Sequence, residues 1–169
     1  SISTITGNGS ASSFTFSSIP STYASLQIRW NGRTLGGGTT PTTLWFQLNS
    51  DTGANYGFHA LYGNGSAASA TEYQGGNRIY ADNALGDSGM SSGIMGAGVL
   101  DLHDYASTTK YKTTRSIHGC DGNTANTNFR IYLESNRWQS TSAVSSITVF
   151  AGSAFTSDTT VSLYGIKGA

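Results

Sequence analysis

Charge is the first thing this chain lacks. Only 11% of its 169 residues are Asp, Glu, Lys or Arg, against roughly 25% in an average soluble domain. Lysine is limited to Lys110, Lys112 and Lys167, and glutamate to Glu72 and Glu134. Nine basic residues balance nine acidic ones, so no basic stripe is available to follow a phosphate backbone, and no nucleic-acid partner is expected. The single cysteine, Cys120, has no second thiol for an internal disulfide. No run of about 20 apolar residues is present to cross a membrane as a helix, so no membrane partner is expected either. The sequence opens without a basic-then-apolar leader, which sets the expectation of a mature form or of a chain made outside the secretory route. No segment repeats apolar residues at i, i+3, i+4 and i+7, so almost no helix is expected.

What is present points one way. The chain holds 22 glycines, many Ser, Thr and Asn, and 11% aromatic residues. That is enough apolar material for a core and too much for disorder. Period-two alternation recurs: Leu26, Ile28 and Trp30 against Gln27, Arg29 and Asn31; Leu44, Phe46 and Leu48 on one side of TLWFQLN; Phe129, Ile131 and Leu133 against Arg130, Tyr132 and Glu134. SFTFS, VLDLH, KYKTTRSIH, SSITVF and TVSLYGI add further strands, and one more is expected near Arg78-Ile79-Tyr80. Turn signals such as Gly7-Asn8-Gly9, Gly36-Gly37-Gly38 and Gly63-Asn64-Gly65 separate them. Eight or nine strands spaced in this way predict an all-β protein: a single antiparallel β-sandwich, jelly-roll-like, with long Gly/Ser-rich loops. The least strand-like region is Gly63 to Gly98. One domain, residues 14–169, is expected, preceded by a possible arm over residues 1–13 that carries only Ile2 and Ile5 as core candidates.

The stretch LNSDTGANYGF carries Asp51-Thr52-Gly53-Ala54, the tetrapeptide of one-domain aspartic proteases, and Asp87-Ser88-Gly89 supplies a second triplet. A protease carboxylate needs a dry, two-fold site in which two acids share a proton, and apolar residues should precede it. Here Asn49 and Ser50 do. Asp51, Gly53 and Asn55 are therefore read as a structural turn, the side chains bonding local backbone amides. Calcium at Asp51 and Asn55 is a weaker reading, since one carboxylate is a thin charge count. Glu72 and Glu134 could in principle pair as glycosidase carboxylates, but sequence does not place them within reach of each other. His59, His103 and His118 lack metal-motif spacing; Cys120 with His118 two residues away is read as a loop or interface thiol, and His103 as a surface histidine. No catalytic residue, cofactor or metal is called for. Trp45 and Tyr132 alternate away from apolar neighbours, which predicts two outward aromatics and marks them as candidate interface or glycan contacts.

Several blocks resemble a group of tailed-bacteriophage virion structural proteins, of head decoration (cement) or tail-fibre type. Phe16 to Ile28 matches an F-x-S-I-P-x-T-Y-x-x-L-x-I opening. Similarity continues through Leu48 to Tyr56, Asp104 to Thr113, Trp138 to Thr148 and the closing Ser162 to Ile166. Asn49-Ser50-Asp51-Thr52-Gly53 replaces the group's usual Asn-Gly-Asp-Thr-Gly. The resemblance implies a non-enzymatic particle protein made in a host bacterial cytoplasm and placed on the virion surface. Its partners would be the major capsid protein or other virion proteins, with a homotrimer as the expected assembly. The alternative it leaves is a tail-fibre, receptor-binding or carbohydrate-binding module that takes a host glycan.

Overall fold

A computed structural model describes residues 1–122 and 128–168. Among these the chain is all-β, with twelve strands and no helix. The strands are β1 (Ser3–Thr6), β2 (Ser13–Phe16), β3 (Ser25–Thr34), β4 (Thr42–Leu48), β5 (Tyr56–Gly63), β6 (Ala68–Gly76), β7 (Ile79–Asp87), β8 (Gly96–His103), β9 (Lys112–Cys120), β10 (Arg130–Trp138), β11 (Ile147–Phe150) and β12 (Thr160–Ile166). All belong to one hydrogen-bonded sheet that branches at β3 and has two antiparallel sections. The large section runs β1-β12-β3-β8-β9-β10-β5-β6, and the small one β2-β11-β4-β7. A short parallel stretch, Arg33 beside Gly86 and Thr34 beside Asp87, joins them. The chain crosses repeatedly between sections, with β2, β4, β7 and β11 in the small one and the rest in the large one, an interleaving compatible with the jelly-roll expectation.

The alternating strands explain why the two sections meet. Leu26, Ile28 and Trp30 of β3, Leu100 and Leu102 of β8, and Val161 and Leu163 of β12 are buried in one core with Leu44, Phe46 and Leu48 of β4 and Ile147 and Val149 of β11. The Trp30 and Phe46 rings lie 5.7 Å apart across that core, and the Trp30 indole N–H donates to the Ala84 carbonyl at 3.0 Å. Gly98 makes the Trp30 position possible. A Cβ there would come within 2.3 Å of the indole and 2.4 Å of the His118 Cβ.

Three expectations change. The Gly63–Gly98 region, read as the least strand-like, contains β6 in addition to β7, which starts where the strand near Arg78-Ile79-Tyr80 was expected. β6 shows no alternation because Ala68 to Gly75 are exposed on both faces, so no buried side selects apolar residues. Within residues 1–13, β1 runs along β12 of its own chain, Ser3 opposite Leu163, and Ile2 and Ile5 pack against the core. In β10 the phase is reversed. Tyr132, Glu134, Asn136 and Trp138 face inward, while Ile131 and Leu133 are 63% and 45% exposed. Periodicity says which residues share a face, not which face is covered. Here the aromatic and polar set lies under β7, and the aliphatic set faces out.

Candidate functional site

The Asp51 stretch forms a corner between the two sections rather than a hairpin, since β4 and β5 do not pair with each other. Asn49 and Ser50 take positive φ of 50° and 56° to turn the chain. The Asp51 Oδ1 accepts from the Gly53 N–H at 2.8 Å, and its Oδ2 from Asn55 Nδ2 at 2.8 Å and Trp138 Nε1 at 2.6 Å. Burial works to raise the Asp51 pKa, but these N–H donors outweigh it and hold the carboxyl below its ordinary value. Both oxygens are engaged by donors, so the pair is a poor fit for calcium, which needs free lone pairs. Asp87 lies past Leu85, which pairs with Thr42 at the start of β4, whereas Asp51 follows Leu48 at its end. Six residues of strand separate those ends, roughly 20 Å, so Asp51 and Asp87 form no shared-proton dyad.

The other sequence candidates are placed as follows. Glu72 on β6 faces outward and Glu134 on β10 inward, on opposite faces of one section, so they form no glycosidase pair. Cys120 is buried at the end of β9, and burial pushes its thiol up to about 11. Tyr132 is the clearest correction. It is 3% exposed and stacks on His118 (5.5 Å, 3°) and Tyr62 (5.0 Å), so it is no outward contact residue. Trp45 does lie on the outer side of the small section, half-buried. Its ring is covered by the Arg78 guanidinium at 4.9 Å, which also lies 5.0 Å over Phe150.

Beneath β7 the inner face of β9 and β10 is polar. Thr114, Ser116, His118, Glu134 and Asn136 are all buried. His118 Nε2 stands 3.6 Å from Glu134 Oε1, and both imidazole nitrogens and both carboxyl oxygens lack a well-formed hydrogen bond. Burial lowers His118 to about 4 and raises Glu134 to about 8, the Asp82 charge on β7 adding to the latter. A neutral imidazole beside a neutral carboxylic acid is the state that low dielectric favours. Among the described residues no three His, Cys, Asp or Glu side chains gather as a metal-holding group.

The outer face of the large section is the surface that stands out. Ladder register aligns Val99, Ile117, Leu133, Leu61 and Ala70 side by side across β8, β9, β10, β5 and β6. Next to that row lie Ala97, Gly119, Ile131, Gly63 and Ala68 in the same strand order. Ile117 and Leu61 are each 52% exposed. On the other side runs a polar row, Asp101, Arg115, Ser135, His59 and Glu72. A solvated sheet face is normally polar at alternate positions, so two adjacent apolar rows mark a surface built to be covered. Sequence reading missed these residues because it assigned β10's aliphatic set to the core. The available signal was that β10 carries large apolar side chains in both phases, Ile131 and Leu133 in one and Tyr132 and Trp138 in the other.

Comparison of the chain with protein-family models, with curated proteins and with solved structures finds no match.

Proposed function

We propose that this protein is a non-enzymatic structural component of a tailed-phage particle: a capsid decoration (cement) protein that trimerises and binds neighbouring major capsid proteins at the virion surface. The observation that carries the reading is the pair of apolar rows on the outer face of the large section, which a protein needing no partner has no reason to expose. Ile117, Ile131, Leu133 and Leu61 are already about half-buried, so covering them fully would contribute about half of the roughly 1.5–3 kcal/mol that a fully exposed side chain gives, without help from charge.

The positions of the resembling blocks support the same reading. The Tyr105 hydroxyl of the Asp104–Thr113 block donates to the Pro20 carbonyl at 2.5 Å and accepts from the Tyr23 N–H at 3.2 Å, both in the Phe16–Ile28 block. Asn49 of the Leu48–Tyr56 block donates to the Ala143 carbonyl and accepts from the Ser145 and Ser146 amides, while Trp138 reaches Asp51. The blocks thus meet in pairs at the corners of the fold, where they hold strands together. Shared residues of this kind specify a scaffold rather than a reaction centre. The fibre or glycan-binding alternative has less behind it, because Tyr132 is buried and Arg78 occupies the face of Trp45.

The test is re-binding to purified particles stripped of the protein. Wild-type chain is expected to sediment with the particles equally well in low salt and in 0.5 M NaCl, about 4 Å of Debye length being too short for surface charge to matter. The double variant Ile117→Asp/Leu133→Asp, folded by circular dichroism, should stay in the supernatant. Undiminished binding of that variant, or shedding of wild type by salt alone, would overturn the proposal.

A further inference from the structure

β6 is the far edge of the large section, and its geometry specifies what can lie against it. Among the described residues it pairs only with β5, and no strand of the small section is hydrogen-bonded to it. Along its nine residues, ASATEYQGG, only Gly76 is buried. Proline and lysine, which commonly blunt such edges, are absent. The hairpin that leads into it closes with the Asn64 N–H donating to the Ala67 carbonyl at 3.2 Å. In an antiparallel ladder hydrogen-bonded pairs alternate, so residues 69, 71 and 73 turn their amides toward β5. Ala68, Ala70, Glu72 and Gln74 then turn theirs to the open edge.

We infer that this edge pairs with β6 of a second copy, antiparallel about a two-fold axis at Thr71. The strand's own sequence selects that register. The open-edge residues then face one another as Ala70 with Glu72 and Ala68 with Gln74, giving roughly eight main-chain hydrogen bonds. Thr71 meets Thr71 and Ser69 meets Tyr73 on the side facing β7, a Thr–Thr pair being favourable in a sheet. A shift that places the axis at Glu72 opposes two carboxylates directly and is disfavoured. The paired geometry also gives the Tyr73 ring, 47% exposed and touching Phe58 and Tyr80 on its other side, a second wall. Ala70 then abuts Glu72 of the second copy, so the apolar row of each copy runs on into the polar row of the other.

The contact is small. A strand of this length is about 30 Å long and a sheet about 10 Å thick, so roughly 300 Å² per copy is covered, against roughly 800 Å² per partner in a stable complex. It is therefore a contact for copies already held close together. Being two-fold, it lies outside the three-fold contact of the proposed trimer and would join one trimer to the next. Its failure leaves the particle reading untouched, and the reverse also holds.

Disulfide trapping reads such a contact directly. In a non-hydrogen-bonded antiparallel pair the Cα atoms are about 4.5 Å apart, within the range a disulfide spans, and the native Cys120 is buried. Thr71→Cys protein, concentrated to about 1 mM so that a weak contact is populated, should under mild oxidation form covalent dimer on the order of ten-fold faster than Ser66→Cys protein at the same concentration, whose thiol sits at the exposed hairpin tip, because pairing raises the local thiol concentration. Adding Ala70→Pro removes an open-edge N–H while leaving the β5 ladder whole, and should abolish the difference. Glu72→Pro gives the same readout if Ala70→Pro melts below wild type. Equal trapping of the Thr71→Cys and Ser66→Cys proteins, or trapping insensitive to both proline variants, would overturn the inference.

Discussion

Glu134→Gln should make this protein more stable above neutral pH, although it removes a charged residue type from the core. Glu134 is 1% exposed on β10, opposite Ser116 of β9 and Ala60 of β5. The groups facing it are His118 on β9, Asn136 on its own strand and Asp82 on β7. Burial lifts its pKa to about 8 from 4.5, so between those values the folded chain holds a proton that the unfolded chain has released. Stability from this group therefore falls as pH rises through that window. At pH 7 the penalty is about 3 kcal/mol, each pH unit across the gap being worth about 1.4 kcal/mol. His118 acts in the other direction. Its pKa is lowered from 6.5 to about 4, so the folded chain loses stability as pH falls below 6.5. The two trends offset each other between pH 4.5 and 6.5, and only the Glu134 effect remains above. Wild type should thus show a nearly level plateau in the acid range and lose about 2 kcal/mol between pH 6.5 and 8. Denaturant midpoints measured from pH 5 to 9 at constant m-value test this. The glutamine variant should lose the alkaline decline and exceed wild type at pH 8. An unchanged slope, or a variant less stable than wild type at pH 8, would refute the reasoning.

Asp51→Asn turns one of the two accepting oxygens into an NH2 donor, so at least one of the three N–H donors loses its acceptor; it should cost about 1–3 kcal/mol, read as a lowered melting temperature, and an unchanged melt would mean the corner is held by other bonds. Tyr105→Phe keeps the ring in the core but drops the bond to the Pro20 carbonyl, for an expected loss of about 1–2 kcal/mol, with hydrogen exchange faster at Tyr23 than elsewhere. Gly98→Ala drives a methyl into Trp30 and His118, and should cost about 1–3 kcal/mol by overpacking, with a changed tryptophan emission. A neutral Gly98→Ala would show that the β8 backbone can shift away.

Much of this protein was set by local sequence. Alternation named both the strand and its buried residues in β3 and β4, and the strands alone in β8, β11 and β12, because each of those strands has one face in a single apolar core. Asp51, Gly53 and Asn55 were legible as a turn because their bonds reach no further than a few residues, apart from the one from Trp138. The scarcity of charge and of helix-forming periodicity was enough for an all-β chain. Tertiary structure alone decided which face of β9 and β10 is inside, since alternation is symmetric under exchange of faces and only the placement of β7 breaks that symmetry. It buried Tyr132 and the His118–Glu134 pair, and it turned Ile117, Ile131, Leu133 and Leu61 out into contiguous rows. Those rows combine residues from strands far apart in the chain, and no window of sequence contains the register that aligns them.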